Sequence, residues 1–170
     1  MSSTDQPASR EQTDLLETLA AHRGFLRFTV RDLTDEQAAR RTTVSALTLG
    51  GLVKHVAATE GRWLSFILEG PAAMQGGDDG DWAGGFQMQS GETLAGLLER
   101  YAEVARRTEA ILRELPDLDA SQPLPEAPWF EPGARWSARR VLLHVVAETA
   151  QHAGHADILR ESLDGAKTMG

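Results

Sequence analysis

Four stretches of this chain repeat apolar residues at intervals of three and four, a period that restricts them to amphipathic helices packed face to face. The first runs from about Arg10 to Arg31, with Leu15, Leu19, Leu26 and Val30 on one stripe and His22 inside that stripe. The second begins after "SALTLGG" with Thr48 as its N-cap, carries Leu49, Leu52, Val53, Val56, Trp63 and Ile67, and stops at Gly70 and Pro71. In the third, "SGETLAGLLERYAEVARRTEAILRELP", the buried side is Leu94, Leu97, Leu98, Tyr101, Val104, Ile111 and Leu115, and Pro116 closes it. The fourth opens at "RWSARRVLLH", where Ser137 can accept from a free backbone N–H of the first turn, and persists to about Leu163 before "DG".

Three links join these helices. "DLTDEQAARRTTV" holds one short helical turn, "MQGGDDGDWAGGFQMQ" is glycine-rich with a flexible acidic stretch at Gly76 to Gly80, and "PDLDASQPLPEAPWFEPGA" is proline-rich. The two long links show no strand-like alternation and are long enough for crossovers or a lid over a site. The expected fold is therefore all-α, a four-helix bundle with long interhelical crossover loops. Its 170 residues suffice for one core, so residues 1–170 are read as a single domain with 1–9 a flexible tail.

Charge and composition narrow the partners. With 25 acidic against 17 basic residues, a net charge of -8, the chain lacks the clustered cations that neutralise phosphates, so no nucleic-acid partner is expected. No run approaches twenty apolar residues and the start "MSSTDQPASREQTD" has no apolar core of a signal peptide, so no membrane partner and a cytoplasmic location are expected. Cysteine is absent, so any thiol chemistry has to enter with a substrate.

The segment "HVVAETAQHAGHADILRE" gathers three of the five histidines. Residues four apart on a helix lie about 40° apart around the axis and roughly 6 Å along it. His144, Glu148 and His152 thus stack on one face, with His155 a turn further along. Val141, Leu142, Val145, Ala156 and Leu159 adjoin them, so this ladder borders the core. One helix supplies two metal ligands at i and i+4; a coordination triangle needs a second element, and the second helix offers His55. Glu60 is about 140° round the helix from His55 and is not expected to share its ion. Spacing alone leaves two readings open: ligands of a divalent ion, or surface and helix-stabilising histidines beside a carboxylate. His144 fits either as a ligand or as a hydrogen-bond partner of one, His155 as a substrate-orienting group or a wet edge, and His22, among leucines, as structural.

The segments "LTLGGLVKHVAATEGRW" and "RWSARRVLLHVVAETAQHAGHADILRE" resemble the DinB-like, or YfiT-like, metal-dependent superfamily of four-helix bundles, and more narrowly its actinobacterial mycothiol S-transferase branch; the likeness extends over nearly the whole chain. The resemblance implies one histidine ligand in the second helix and two ligands four apart in the last: here His55, Glu148 and His152, with "HAG" after the last. Many members carry histidine where this chain has Glu148; a His-Glu-His set is similar to that of the mycothiol-dependent isomerases of the same superfamily. The glutamate places one negative charge on the ion and tempers its Lewis acidity.

The implied activity is metal-dependent conjugation of the low-molecular-weight thiol mycothiol to an electrophile, for detoxification. The cofactor would be a divalent metal, zinc with nickel, iron and manganese as alternatives, and the nucleophile a metal-bound thiolate, its pKa held below the usual value of about 8.5. The partners are then a small thiol and an electrophile, with a homodimer formed along an exposed apolar helix face. Arg160, Trp82, Trp129 and Phe130 could line the entrance or serve only as surface and packing groups. Two other functions fit the same pattern: a metal-dependent hydrolase on this fold, and a non-catalytic, stress-related binding bundle.

Overall fold

Ser9 is the N-cap of the first helix. It caps the first helix through a reciprocal pair: its hydroxyl accepts from the Gln12 N–H at 3.1 Å, and its own N–H donates to the Gln12 carboxamide oxygen at 2.6 Å. Ser9, read above as the last residue of the tail, is held at the start of the helix by these two bonds. The computed structural model describes residues 9–74 and 84–168. The rest of the expected tail, the Gly76 to Gly80 stretch and Trp82 lie outside the described residues.

The elements in order are α1 (Arg10–Thr29), α2 (Asp35–Ala39), α3 (Leu49–Glu69), two 3₁₀ turns (Gly70–Met74 and Gly84–Phe86), α4 (Leu94–Glu114), strands β1 (Ser121–Pro123) and β2 (Arg135–Ser137), and α5 (Ala138–Asp164). The chain is mostly helical, and each long helix begins on a side chain able to hold a free N–H. Thr48 accepts from Gly51, Thr93 from Gly96 and Ser137 from Arg140, at 3.1 to 3.2 Å. α1 ends two residues before the expected Arg31, because Val30 caps it and the chain turns through Asp32 at φ 58°. α3 and α5 end on Gly70 (φ 72°) and Gly165 (φ 80°), positive φ values that glycine adopts without a Cβ penalty.

The proline-rich link departs from the expectation that it holds no strand. β1 and β2 pair antiparallel, with Gln122 opposite Trp136, and the Ala138 and Arg139 N–H groups donate to the Ala120 and Leu118 carbonyls. Three-residue strands are too short for alternation to show, and the pairing is set by the way this hairpin closes onto the start of α5.

Side-chain contacts fix the directions. Arg139 at the start of α5 pairs with Glu11 at the start of α1, and Arg160 near the end of α5 donates to the carbonyls of Thr29 and Arg31, so α1 and α5 run parallel. Lys54 meets Glu92 and Glu60 meets Thr108, so α3 and α4 run parallel to each other. Two parallel neighbours cannot be joined by a tight turn, which accounts for the long connection over 70–93. Gln12 donates to the Leu112 and Leu115 carbonyls, satisfying the end of α4 from α1.

The buried core lies between the four long helices and is divided by a polar layer. On one side pack Leu26, Val30, Leu52, Val53, Val56, Leu97, Tyr101, Ala156 and Leu159; on the other, Leu19, Trp63, Phe66, Leu64, Leu112, Val141, Leu142 and Val145. Between them α1, α3 and α4 contribute buried polar residues that meet, Arg23, Glu60 and Thr108, and α5 adds the buried Thr149. The Arg23 guanidinium grips the fully buried Glu60 carboxylate through both nitrogens, Nε at 3.1 Å from Oε2 and Nη2 on Oε1, and the Thr108 hydroxyl also donates to Oε1. Glu60 is thus taken up by the core, as its position round α3 from His55 requires. Among the described residues no helix is long and apolar enough to cross a membrane.

Removing one member of a buried pair leaves the other charge uncompensated, a cost of about 3 to 5 kcal/mol. Glu60→Ala is expected to lower unfolding free energy by that amount in urea titrations, whereas Arg23→Met, Glu60→Leu and Thr108→Val together lose much less.

Candidate metal centre

Two helices converge at a partly exposed edge of the core. α5 carries Glu148 and His152 one turn apart, and antiparallel α3 brings His55 against them. One carboxylate oxygen is shared: Glu148 Oε2 lies 3.8 Å from His55 Nε2 and 3.5 Å from His152 Nε2. The ligand-type atoms of His55, Glu148 and His152 all fall within 4.8 Å of one another, forming a group of three that could hold a metal ion. His152 is buried, while His55 and Glu148 are half-buried.

The electrostatics follow from this crowding. The His152 and His55 imidazoles beside it hold the Glu148 carboxyl well below the usual carboxylate range, against the opposing effect of burial. The other oxygen, Oε1, faces His144 Nε2 at 3.9 Å. Burial pushes the His144 imidazole below its ordinary value, with the Glu148 charge working the other way. Its ring is wedged edge-on against Trp63 and Trp136, with centroids 5.0 and 5.2 Å away, while those two indoles stack on each other at 4.9 Å. His144 thus stands beside the group, outside it. His155 stands behind it, its Nδ1 3.3 Å from the Nδ1 of His152.

The donor set suits a divalent ion. Two imidazoles and one carboxylate offer three of four tetrahedral positions, and bonds of about 2.1 Å set neighbouring ligand atoms about 3.4 Å apart, close to the two separations measured at Glu148. Without a cation or hydrogen bonds, a carboxylate in this half-buried place carries a desolvation cost.

Phe86 is a part of the site that sequence reasoning missed. Its ring stacks on His55 with centroids 4.0 Å apart and planes 24° apart, and it also approaches His152 at 5.8 Å. The 3₁₀ turn that carries it can lie on α3 because Gly51 has no side chain: a Cβ there would sit inside the van der Waals shell of the Phe86 carbonyl. The Thr48 hydroxyl donates to that same carbonyl at 3.2 Å. The "LGG" pair was the available signal, since glycine within a helix implies a close approach. Thr59, one turn after His55, places its hydroxyl 3.4 Å from Nε2.

The remaining candidates are placed elsewhere. His22 packs edge-on against Phe25 on α1. Arg160 does not line an entrance: it is buried, donates at 2.8 Å to the Thr29 and Arg31 carbonyls, and pairs with Asp164, so it closes the C-terminus of α1. Phe130 packs on Trp136 with centroids 5.8 Å apart, and Trp129 is 76% exposed.

Comparison with known proteins adds three findings. The family model described as mycothiol-S-transferase matches residues 14–165. A solved structure described as the conserved protein of locus from Enterococcus faecalis superposes with a TM-score of 0.70 over 94% of this chain and 100% of that one, at 15% identity, which is a likeness of fold. No curated protein matches the chain.

Gly51→Ala is expected to push the Phe86 turn off α3 at a cost of about 1 to 3 kcal/mol. A lower thermal midpoint, together with a shifted His55 ring resonance in NMR spectra, would register the displacement; an unchanged His55 environment would show that Phe86 is not held by this contact.

Proposed function

Because the chain belongs to the mycothiol-S-transferase family, we propose that it conjugates a low-molecular-weight thiol, mycothiol, to electrophilic carbon, using a divalent ion held by His55, Glu148 and His152. The observation that carries this reading is the single carboxylate oxygen shared by two imidazoles from two different helices, 3.5 and 3.8 Å away. Three protein ligands leave a position for substrate, the arrangement of a catalytic rather than a structural site. We take the whole chain as one domain, a four-helix bundle, and zinc as the ion, with nickel, iron or manganese as substitutes.

When bound, the ion supplies a Lewis acid that keeps a thiol deprotonated near neutral pH. The protein's own part is to hold and exclude. It contains no cysteine, so the sulfur belongs to the co-substrate. Glu148, kept ionised by its two imidazole neighbours, offsets part of the cation's charge. Phe86 on one side and the Trp63–Trp136 stack beside His144 on the other give the site apolar walls that keep water from competing with the thiol. In the reaction a carbon–sulfur bond forms, the thiol proton passes to solvent, and the electrophile either releases a leaving group or takes up a proton at the adjacent carbon.

Protein purified without a histidine tag is expected to carry close to one divalent ion per chain, and His152→Ala to lose it. A bimane electrophile should be consumed only with mycothiol present, and stringent chelation should stop the reaction. Turnover without thiol would assign a metal-dependent hydrolase instead. A protein that takes up no ion would point to a non-catalytic binding bundle.

A further inference from the structure

His152 has two ring nitrogens and a different partner for each. Nε2 faces Glu148 Oε2 at 3.5 Å, and Nδ1 lies 3.3 Å from Nδ1 of His155. A neutral imidazole carries its proton on one nitrogen and a lone pair on the other. Nε2 can therefore serve a cation only when the proton sits on Nδ1, and a buried N–H needs an acceptor. The atom within reach is the His155 Nδ1, which accepts when His155 carries its own proton on Nε2. The reverse arrangement, with His155 donating, leaves the His152 proton on Nε2, between the ring and Glu148, where it blocks ligation.

The helix makes this pairing specific. Three residues along α5 separate the rings, which meet at 60° with centroids 5.3 Å apart, so the nitrogens approach edge to edge and do not stack. His152 is buried, which leaves solvent little room to replace the partner. His144 cannot do the same for Glu148, since 3.9 Å is beyond hydrogen-bond reach.

We propose that His155 is a positioning residue of the metal site: by accepting the Nδ1 proton of His152 it holds the tautomer whose Nε2 lone pair faces Glu148 and His55. The proposal rests on the reading of these three residues as ligands. Outer partners of this kind typically change metal affinity by about 10- to 100-fold.

The test compares wild type, His155→Phe, which keeps a ring but has no acceptor, and His155→Asn, which restores an acceptor oxygen. Zinc affinity is measured by competition with a chromophoric chelator, and the His152 tautomer in zinc-loaded wild type by long-range proton–nitrogen NMR. The expected result is an Nδ1–H tautomer for His152, zinc affinity about 10- to 100-fold weaker in His155→Phe, and recovery of most of that loss in His155→Asn. Unchanged affinity in His155→Phe, equal losses in both variants, or a His152 Nδ1 without its proton in the zinc-loaded wild type would overturn the role of His155 while leaving the ligand set intact. A wild type that takes up no zinc would overturn the ligand set and this proposal together.

Discussion

The Arg23–Glu60 ion pair, sealed by the Thr108 hydroxyl, is the interaction on which the register of the helices depends. Apolar contacts tolerate sliding, because one leucine replaces another at little cost. A buried carboxylate does not: moved by one turn it loses its guanidinium and keeps its desolvation penalty. Glu60 therefore ties α3 to α1 and α4 at one level, while on α5 the buried Thr149 hydroxyl donates within its own helix to the Val145 carbonyl. His55 lies five residues before Glu60, and Glu148 and His152 flank Thr149. α5, which carries Glu148 and His152, is fixed against α1 by the Arg139–Glu11 pair and by Arg160, so these contacts and the Arg23–Glu60 pair together set how far the three side chains are from one another.

The site lies at a partly exposed edge of the core and has the opposite electrostatic character. In the core a full charge is answered by a full charge, whereas at Glu148 a carboxylate is answered by imidazoles too far away for normal hydrogen bonds, at 3.5 and 3.8 Å. A cation placed among them would complete what the protein leaves incomplete. The same half-burial that makes the carboxylate costly makes an ion bound there effective, since its field is weakly screened.

The likeness to the Enterococcus faecalis structure at 15% identity shows how little of the fold resides in particular residues. Periodic apolar faces, capping threonines and serines, and helix-ending glycines are enough to specify long helices, and many sequences supply them. The family match over residues 14–165 adds chemistry that the fold alone does not.

The sequence by itself determined the local structure. Helical period set the four long helices, Thr48 and Ser137 set two of their starts, Gly70 set an end, and i,i+4 spacing put Glu148 and His152 on one face, because each of these depends on neighbours within a turn or two. It also placed His55 on an adjoining helix and indicated, through the resemblance, that it joins them. The β1–β2 hairpin, the burial of Arg160 as a helix cap, the seating of Phe86 on His55 over Gly51 and the Arg23–Glu60 pair were decided only in three dimensions. Each joins residues 12 to 131 positions apart in the chain, and the choice of partner depends on which helix ends up beside which, something periodicity within one helix does not encode.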